Sequence, residues 1–498
     1  TDAYSQPSVQ EYLHEELDVL LSDPRIATAW CGVQVNSLDD GTLAYERNAG
    51  LYFVPASNLK LFTAVAALQK LGPEFRFRTE LYGLGDIREG HLTGPLVVVG
   101  NGDPSLGARL SSPDLEDPSK GDPLAIFRDW ARRLREMGIH QIDGDLIGDA
   151  RVFGPGRLGT GWAWDDLPLG YAAETAGLQF NENVVLATIS PSSQVGSPAR
   201  LELSPHTAYV DVTTQVVTAA PHIEAHLEVV RQPGSNRFLL RGAIPSGSPP
   251  FKRTLAVHDP VKYFLTVFRE TLEEQGIRVL GEVAQITDQQ PEPELLRRLL
   301  FSYESPPLID LLRIFLKSSQ NLYGESIVRV LAPSSQGKSM EAGLEEVFQV
   351  LDNLGISRHS YQMVDGSGLS RYNLVTPAVM VQLLYYLYQS RYRDLIMDLL
   401  PEAGSDGTLR HRLTASSGPN KVVAKTGTLS NVRALSGYLL RDGGGGYVFS
   451  LLINHFLHPT AQPEWFQDRM LEILSRSLVL SHSFPVDRET NGNVVTEP

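Results

Sequence analysis

Three short patterns in this 498-residue chain supply between them a nucleophile, proton carriers and two cations: Ser57-Asn58-Leu59-Lys60, Ser319-Gln320-Asn321 and Lys425-Thr426-Gly427. A serine hydroxyl is a poor nucleophile until a neighbouring base takes its proton. Lysine is that base only when neutral, which requires a desolvated or positively charged site that lowers its pKa. Lys425 supplies such a second positive charge and can also hold the anionic end of a substrate; which of Lys60 and Lys425 is the neutral lysine stays open. Ser319 can relay a proton to a leaving amine, and Asn321 can hydrogen-bond a peptide next to the scissile bond. Gly427 lets a substrate approach the backbone closely, and Thr426 and Thr428 can bind a terminal carboxylate. The backbone N–H groups of Ser57 and Thr428 would form an oxyanion hole, typically worth ~2.7–4 kcal/mol per donor. The chemistry implied is acyl transfer through Ser57.

Each pattern also has a plainer explanation. Ser57 could cap its helix, Ser319 and Asn321 could end theirs, and Lys-Thr-Gly could be an ordinary strand end. A Ser-x-x-Lys pattern turns up about once by chance in a chain this long, and Ser335-Gln336-Gly337-Lys338 is a second copy here. That copy sits in a Pro-Ser-Ser-Gln-Gly loop with no helix to hold Lys against Ser. The first copy opens a good helix, where i, i+3 spacing puts both side chains on one face and the dipole's positive end favours Ser57. Order and context together, helix then loop then strand, favour the chemical reading.

The elements that must position these residues can be read from periodicity. Val9 to Leu21 has helical apolar spacing, and Ile26 to Asn36 and Leu43 to Arg47 alternate like strands around Asp39-Asp40-Gly41. Ser57 to Leu71 is a helix that Gly72 can end. From about Arg78 to Ile286 short alternating runs such as Leu96 to Gly100, Tyr209 to Thr213 and Leu227 to Arg231 predict a β-rich region. Helices are expected there near Pro123 to Met137 and Pro260 to Gln275. From about Pro306 the chain is helical until Pro401. Three strands follow, Lys421 to Thr426, Arg433 to Leu440 and Tyr447 to Asn454, then a helix from Pro463 to Leu478. Gly443 to Gly446 suits a hairpin connection, because no Lys-Ser or Lys-Thr follows it as in a phosphate loop. The polar tail after His482 is expected to be mobile.

Bulk properties remove several function classes. A formal net charge of −15, with no cluster of Lys and Arg, disfavours nucleic acid as a partner. No run of ~18 apolar residues predicts a transmembrane segment. A start at Thr1 fits either a trimmed terminus or a mature exported protein whose leader has been removed. Cys31 is the only cysteine, and its strand-like surroundings predict a small core residue rather than a reactive thiol. His14-Glu15-Glu16-Leu17-Asp18 lacks the second His of a zinc-protease helix and reads as a solvated face. His222 and His226 lie on a strand-like run, about 13 Å apart by backbone rise. No metal and no cofactor are expected. Gly83 to Gly90 reads as a hairpin turn.

The chain resembles the low-molecular-mass class C penicillin-binding proteins, the DD-carboxypeptidase/endopeptidase family, along nearly its whole length. The resemblance rests on Val54 to Lys60, Gly102-Asp103-Pro104, Gly161 to Leu167, Asp365 to Arg371 and Ala424 to Leu429, and on the long gap between the first two motifs. It implies an α+β fold: a serine β-lactamase/transpeptidase-like domain, an antiparallel sheet covered by helices, with nested β-rich insertions. The expected boundaries are 1–77 and 306–498 for the catalytic domain, 78–101 and 185–305 for the inserted domain, and 102–184 for a second insertion within it. It further implies an extracytoplasmic location and peptidoglycan peptides ending in D-Ala-D-Ala, or crosslinked from D-Ala to diaminopimelate, as substrates. β-Lactams would be covalent inhibitors. Asp166 and Tyr171 match positions that bind the diaminopimelate amino end, and Arg371 matches an arginine at the same pocket. Ser430 stands where some relatives carry Gln, and Gln320 where relatives often carry Asp; its side chain is expected to point away from substrate. The balance of carboxypeptidase and endopeptidase action and the oligomeric state, a homo-oligomer included, stay open. A contrasting reading is a non-catalytic wall-binding or scaffold protein on the same fold. A β-lactamase-like activity would need a Glu placed to activate water, and the sequence identifies none, so slow penicilloyl release is expected.

Overall fold

The computed structural model describes residues 9–112, 114, 117–154, 156–286, 297–333, 337–413, 420–457 and 461–483. The tail beyond Ser483 and Ser335-Gln336 of the second Ser-x-x-Lys copy lie outside them. The chain falls into two compact units, one made of residues 1–53 and 375–498 and the other of residues 54–374.

The first unit is built on a five-stranded antiparallel sheet in the order Leu43–Arg47, Trp30–Ser37, Gly446–Asn454, Val432–Leu440, Lys421–Leu429. Both chain ends therefore contribute to one sheet, as expected. The central strands are apolar on both faces: all of Gly446–Asn454 is buried. Helices cover it, with Leu13, Leu17 and Leu21 of Val9–Leu21 and Phe466, Met470 and Leu474 of Ala461–Ser483 packing on Val33, Val35, Phe449 and Leu451. On the opposite side helix Pro377–Gln389 is tied by a hydrogen bond from Tyr438 Oη to the Leu384 carbonyl, 2.7 Å. Cys31 is a buried core residue whose thiol pKa burial lifts to about 11. Arg441 to Gly445 forms the hairpin connection between the last two strands, with Gly446 already the first residue of the second. One boundary needs correcting. The segment from Ile26 to Ala29 is turn rather than strand, because Asp23 accepts the backbone N–H and guanidinium of Arg25 and the Ile26 N–H bonds back to the Asp23 carbonyl.

In the second unit a 3₁₀ turn, Ala56–Leu59, leads into helix Lys60–Lys70, which packs with helices Leu308–Lys317, Asn321–Leu331 and Met340–Asn353. Between them in sequence comes the β-rich region. Its largest sheet runs Val283–Gln285, Leu146–Asp149, Leu96–Gly100, Arg78–Leu84, Arg297–Glu304. Helices Ala125–Glu136 and Pro260–Glu274 bury Phe127, Trp130, Phe264 and Phe268 against Phe180, with Phe127 stacked on Phe180 at 4.4 Å between centroids. Aromatic burial of this kind dominates a core's apolar contribution. The strand expected from Tyr209 begins only at Asp211, since the Tyr209 N–H goes to the Thr207 hydroxyl two residues back rather than to a neighbouring strand. His226 opens strand His226–Arg231, whereas His222 lies in the turn before it.

Candidate active site

The 3₁₀ turn stacks residues three apart directly above one another, so Ser57 and Lys60 meet where it passes into the helix. Lys60 is fully buried and its Nζ donates to Ser57 Oγ at 2.8 Å, Asn321 Oδ1 at 2.6 Å and the Ser367 carbonyl at 2.7 Å. The Phe315 ring lies 5.6 Å from the same nitrogen. Burial pulls its pKa from the usual 10.5 down to about 7, against the opposing pull of Asp365 and Glu325. The three contacts suit both charge states. An ammonium donates three times; a neutral amine donates to Asn321 and Ser367 and accepts the Ser57 proton.

Asn321 opens helix Asn321–Leu331, and its amide is oriented from the other end by donation from Nδ2 to the Tyr171 carbonyl, 2.8 Å. Tyr171 Oη in turn donates to Asp166 Oδ1 at 2.6 Å; burial and then Asp166 raise the phenol's pKa. Ser57, Lys60, Asn321, Tyr171 and Asp166 thus form one connected chain. Ser319, two residues before Asn321, is half-buried with a left-handed φ of 58°. Gln320 between them caps the helix by accepting the Leu322 N–H, and donates to Glu182, which also pairs with Arg109. Arg371 is exposed on the loop that begins at Asp365.

The Lys-Thr-Gly motif occupies the edge strand of the sheet in the first unit. Lys425 is fully buried and donates from Nζ to the Thr426 carbonyl at 3.0 Å. Thr426 Oγ1 lies 2.6 Å from Thr408 Oγ1, buried Gly427 pairs with Ala434, and exposed Thr428 pairs with Arg433.

Two carboxyl groups near Lys60 had been given no role by the sequence. Asp365 is buried and takes donors from Gly368 N, Ser370 N, Asn373 Nδ2 and Trp162 Nε1, at 2.7 to 3.0 Å. Asp-Gly-Ser-Gly composition signals such a side-chain-bonded turn, but not what it faces. Glu325 is buried one helical turn beyond Asn321; the only signal was a charge among residues that otherwise read as core.

The chain is 31% identical to a D-alanyl-D-alanine carboxypeptidase of an Actinomadura species over 460 residues, 89% of this chain and 81% of that one. Its fold matches the crystal structure of penicillin-binding protein 4 from Haemophilus influenzae with a TM-score of 0.77 at 29% identity, covering 94% of this chain and 99% of that one. A second crystal structure of that protein, complexed with a β-lactam, matches with a TM-score of 0.72 at 27% identity, covering 93% and 99%. The profile of one family spans residues 13–477. With that coverage, and with Ser57 and Lys60 in contact, the chain belongs to the D-Ala-D-Ala carboxypeptidase 3 (S13) family of penicillin-binding hydrolases.

Proposed function

We propose that this protein is a serine DD-carboxypeptidase that is also a DD-endopeptidase, cleaving D-Ala-D-Ala and D-Ala-diaminopimelate bonds of peptidoglycan stem peptides through an acyl-enzyme on Ser57. The observation that carries the reading is the 2.8 Å contact between Ser57 Oγ and a buried Lys60 with a pKa near 7. In this reading the Ser57 hydroxyl gives its proton to Lys60 Nζ as Oγ attacks the penultimate D-Ala carbonyl. The tetrahedral oxyanion rests on backbone N–H groups, that of Ser57 among them. Its collapse breaks the C–N bond, and the proton on Lys60 passes through Ser319 to the departing amine. Water then hydrolyses the ester by the same steps in reverse. Asn321 holds the peptide beside the scissile bond, while Lys425, Thr426 and Thr428 take the terminal carboxylate and Gly427 leaves it room. A β-lactam acylates Ser57 likewise, but its cleaved nitrogen stays tethered.

Endopeptidase action is supported by the continuity of Asp166 and Tyr171 with Asn321. It gives the amino end of diaminopimelate a carboxylate to pair with, and the family resemblance assigns Arg371 to the carboxylate of the same residue. An insertion at 78–305 is supported by strand Arg78–Leu84 pairing with Arg297–Glu304, which closes the inserted segment on itself, while Leu146–Asp149, from the segment 102–184 read as a second insertion, pairs with Leu96–Gly100 and Val283–Gln285 in the same sheet. A wall substrate places the protein outside the cytoplasm. Among the described residues no helix is long and apolar enough to cross a membrane. The test is intact-mass spectrometry after incubation with a penicillin, followed by peptide mapping. One adduct on Ser57 is expected. Folded protein without an adduct would turn the assignment to the wall-binding scaffold.

A further inference from the structure

Glu325 is 1% exposed, and the mechanism above does not use it. Its Oε1 accepts the Gly366 N–H at 3.2 Å, while its Oε2 is buried without a hydrogen-bond partner among the described residues. The Ser367 hydroxyl is also buried and meets no partner in good hydrogen-bond geometry, but it lies close enough to the Glu325 carboxyl to oppose the rise of its pKa, and Ser367 is the residue whose carbonyl accepts from Lys60. The helix and the loop come this close because both lack a Cβ at the contact. A Cβ on Gly324 would sit 2.7 Å from the Gly366 carbonyl oxygen, and one on Gly366 2.3 Å from that of Gly324. Thr63 Oγ1 fixes the loop from the Lys60 helix by donating to the Gly366 carbonyl at 2.8 Å. A buried carboxyl with one oxygen unpaired is costly as an anion and cheap as an acid.

The charges that act on it come from three elements. Asp365 on the loop takes four donors and is fully engaged. Arg329, on the same helix, donates from Nη1 to the Glu325 carbonyl oxygen and from Nη2 to the Gly156 carbonyl, and is further influenced by Glu341. Lys60 is the cation on the third.

We propose that Glu325 and Lys60 share one proton across the Gly366–Ser367 loop, making Glu325 a positioning residue that sets the charge of the general base. The two forms, neutral amine with carboxylic acid and ammonium with carboxylate, hold the same number of protons, and only the first can deprotonate Ser57. Desolvation, then Asp365, lifts the Glu325 carboxyl to about 7, the range in which Lys60 also titrates, so the two titrate as a pair. The inference rests on the proposed roles of Ser57 and Lys60.

The test is the second-order rate constant for acylation of Ser57 by a fluorescent penicillin between about pH 5.5 and 9, for unaltered protein, Glu325→Gln, Glu325→Met and Glu325→Asp. Removing the anionic alternative lowers the proton affinity of Lys60. The acid limb should therefore move down by about one pH unit in the Gln and Met variants and stay in place for Asp. A merely structural role would change the height of the profile or the melting temperature, not the midpoint. An unmoved midpoint in whichever of the Gln and Met variants folds sinks the inference alone. No adduct on Ser57 of the unaltered protein sinks the proposed function first, and this inference with it.

Discussion

Three acceptors fix the nitrogen of Lys60, and burial sets its charge. Its pKa is lowered from 10.5 to about 7, so the neutral form that can take a proton grows as pH rises through that value. Acylation by a penicillin should therefore fall about tenfold per pH unit well below 7 and level off well above it. A stopped-flow profile that is flat across neutrality would remove Lys60 as the titrating base. Lys60→Arg keeps a cation of similar reach but cannot lose its proton at these pH values. It should slow acylation about 10²–10⁴-fold while the protein stays folded. At the far end of the same chain of contacts, Asp166 holds the Tyr171 hydroxyl at 2.6 Å. Asp166→Ala should lower kcat/KM for diaminopimelate-bearing peptides more than for simple D-Ala-D-Ala peptides. Equal losses on the two would take Asp166 out of the substrate pocket.

At the scale of elements, the turn that carries Ser57 is held from outside by the loop beginning at Asp365. Gly368 has a φ of 84°, and a Cβ there would lie 1.9 Å from the Ala56 carbonyl oxygen. Ala56 itself sits at a φ of 46° immediately before Ser57. Gly368→Ala would force a side chain into left-handed backbone, a cost of roughly 1–2 kcal/mol, and push backbone against backbone at the nucleophile. Both a lower melting temperature and slower acylation are expected, where a surface glycine such as Gly196, with open space around it, should affect only the first. How much of this could be read from sequence follows from distance along the chain. Ser57 and Lys60 were legible because they share one turn, and the helix Val9–Leu21 because its core positions repeat within thirteen residues. Lys60 and Asn321 are 261 residues apart, and only the order of the motifs linked them. Asp365 opened a stretch that carried the resemblance but no role, and Glu325 had neither a local spacing nor a motif; their place beside Lys60 follows from the packing of that loop on helix Asn321–Leu331. The misread start at Ile26 has the opposite cause: apolar alternation lost to the local hydrogen bonds of Asp23.

For the molecule as a whole, the groups that matter are those whose charge folding must suppress. Glu325 and Lys60 are two of them, and Asp103 is a third, which has no part in the proposed mechanism and so is better suited to a stability test. It is 2% exposed; Oδ1 accepts the Ser105 N–H at 2.9 Å and the Ser105 hydroxyl at 2.6 Å, while Oδ2 is buried without a partner among the described residues. Burial outweighs the two Ser105 hydrogen bonds and lifts its pKa from 3.8 to about 6. The folded protein therefore holds this proton more tightly than the unfolded chain. The stability it contributes is complete below about 3.8 and is lost as pH rises through about 6. Two pKa units correspond to roughly 3 kcal/mol. Asp103→Asn keeps an oxygen for Ser105 and removes the titration. Its melting temperature relative to the unaltered protein should rise by a few degrees between about pH 4 and 7, because only the unaltered protein pays for an ionised carboxyl in the interior. A gap that stays constant over that range would mean Asp103 titrates at its ordinary pKa. The observation most in need of explanation would then be its buried, unpartnered oxygen.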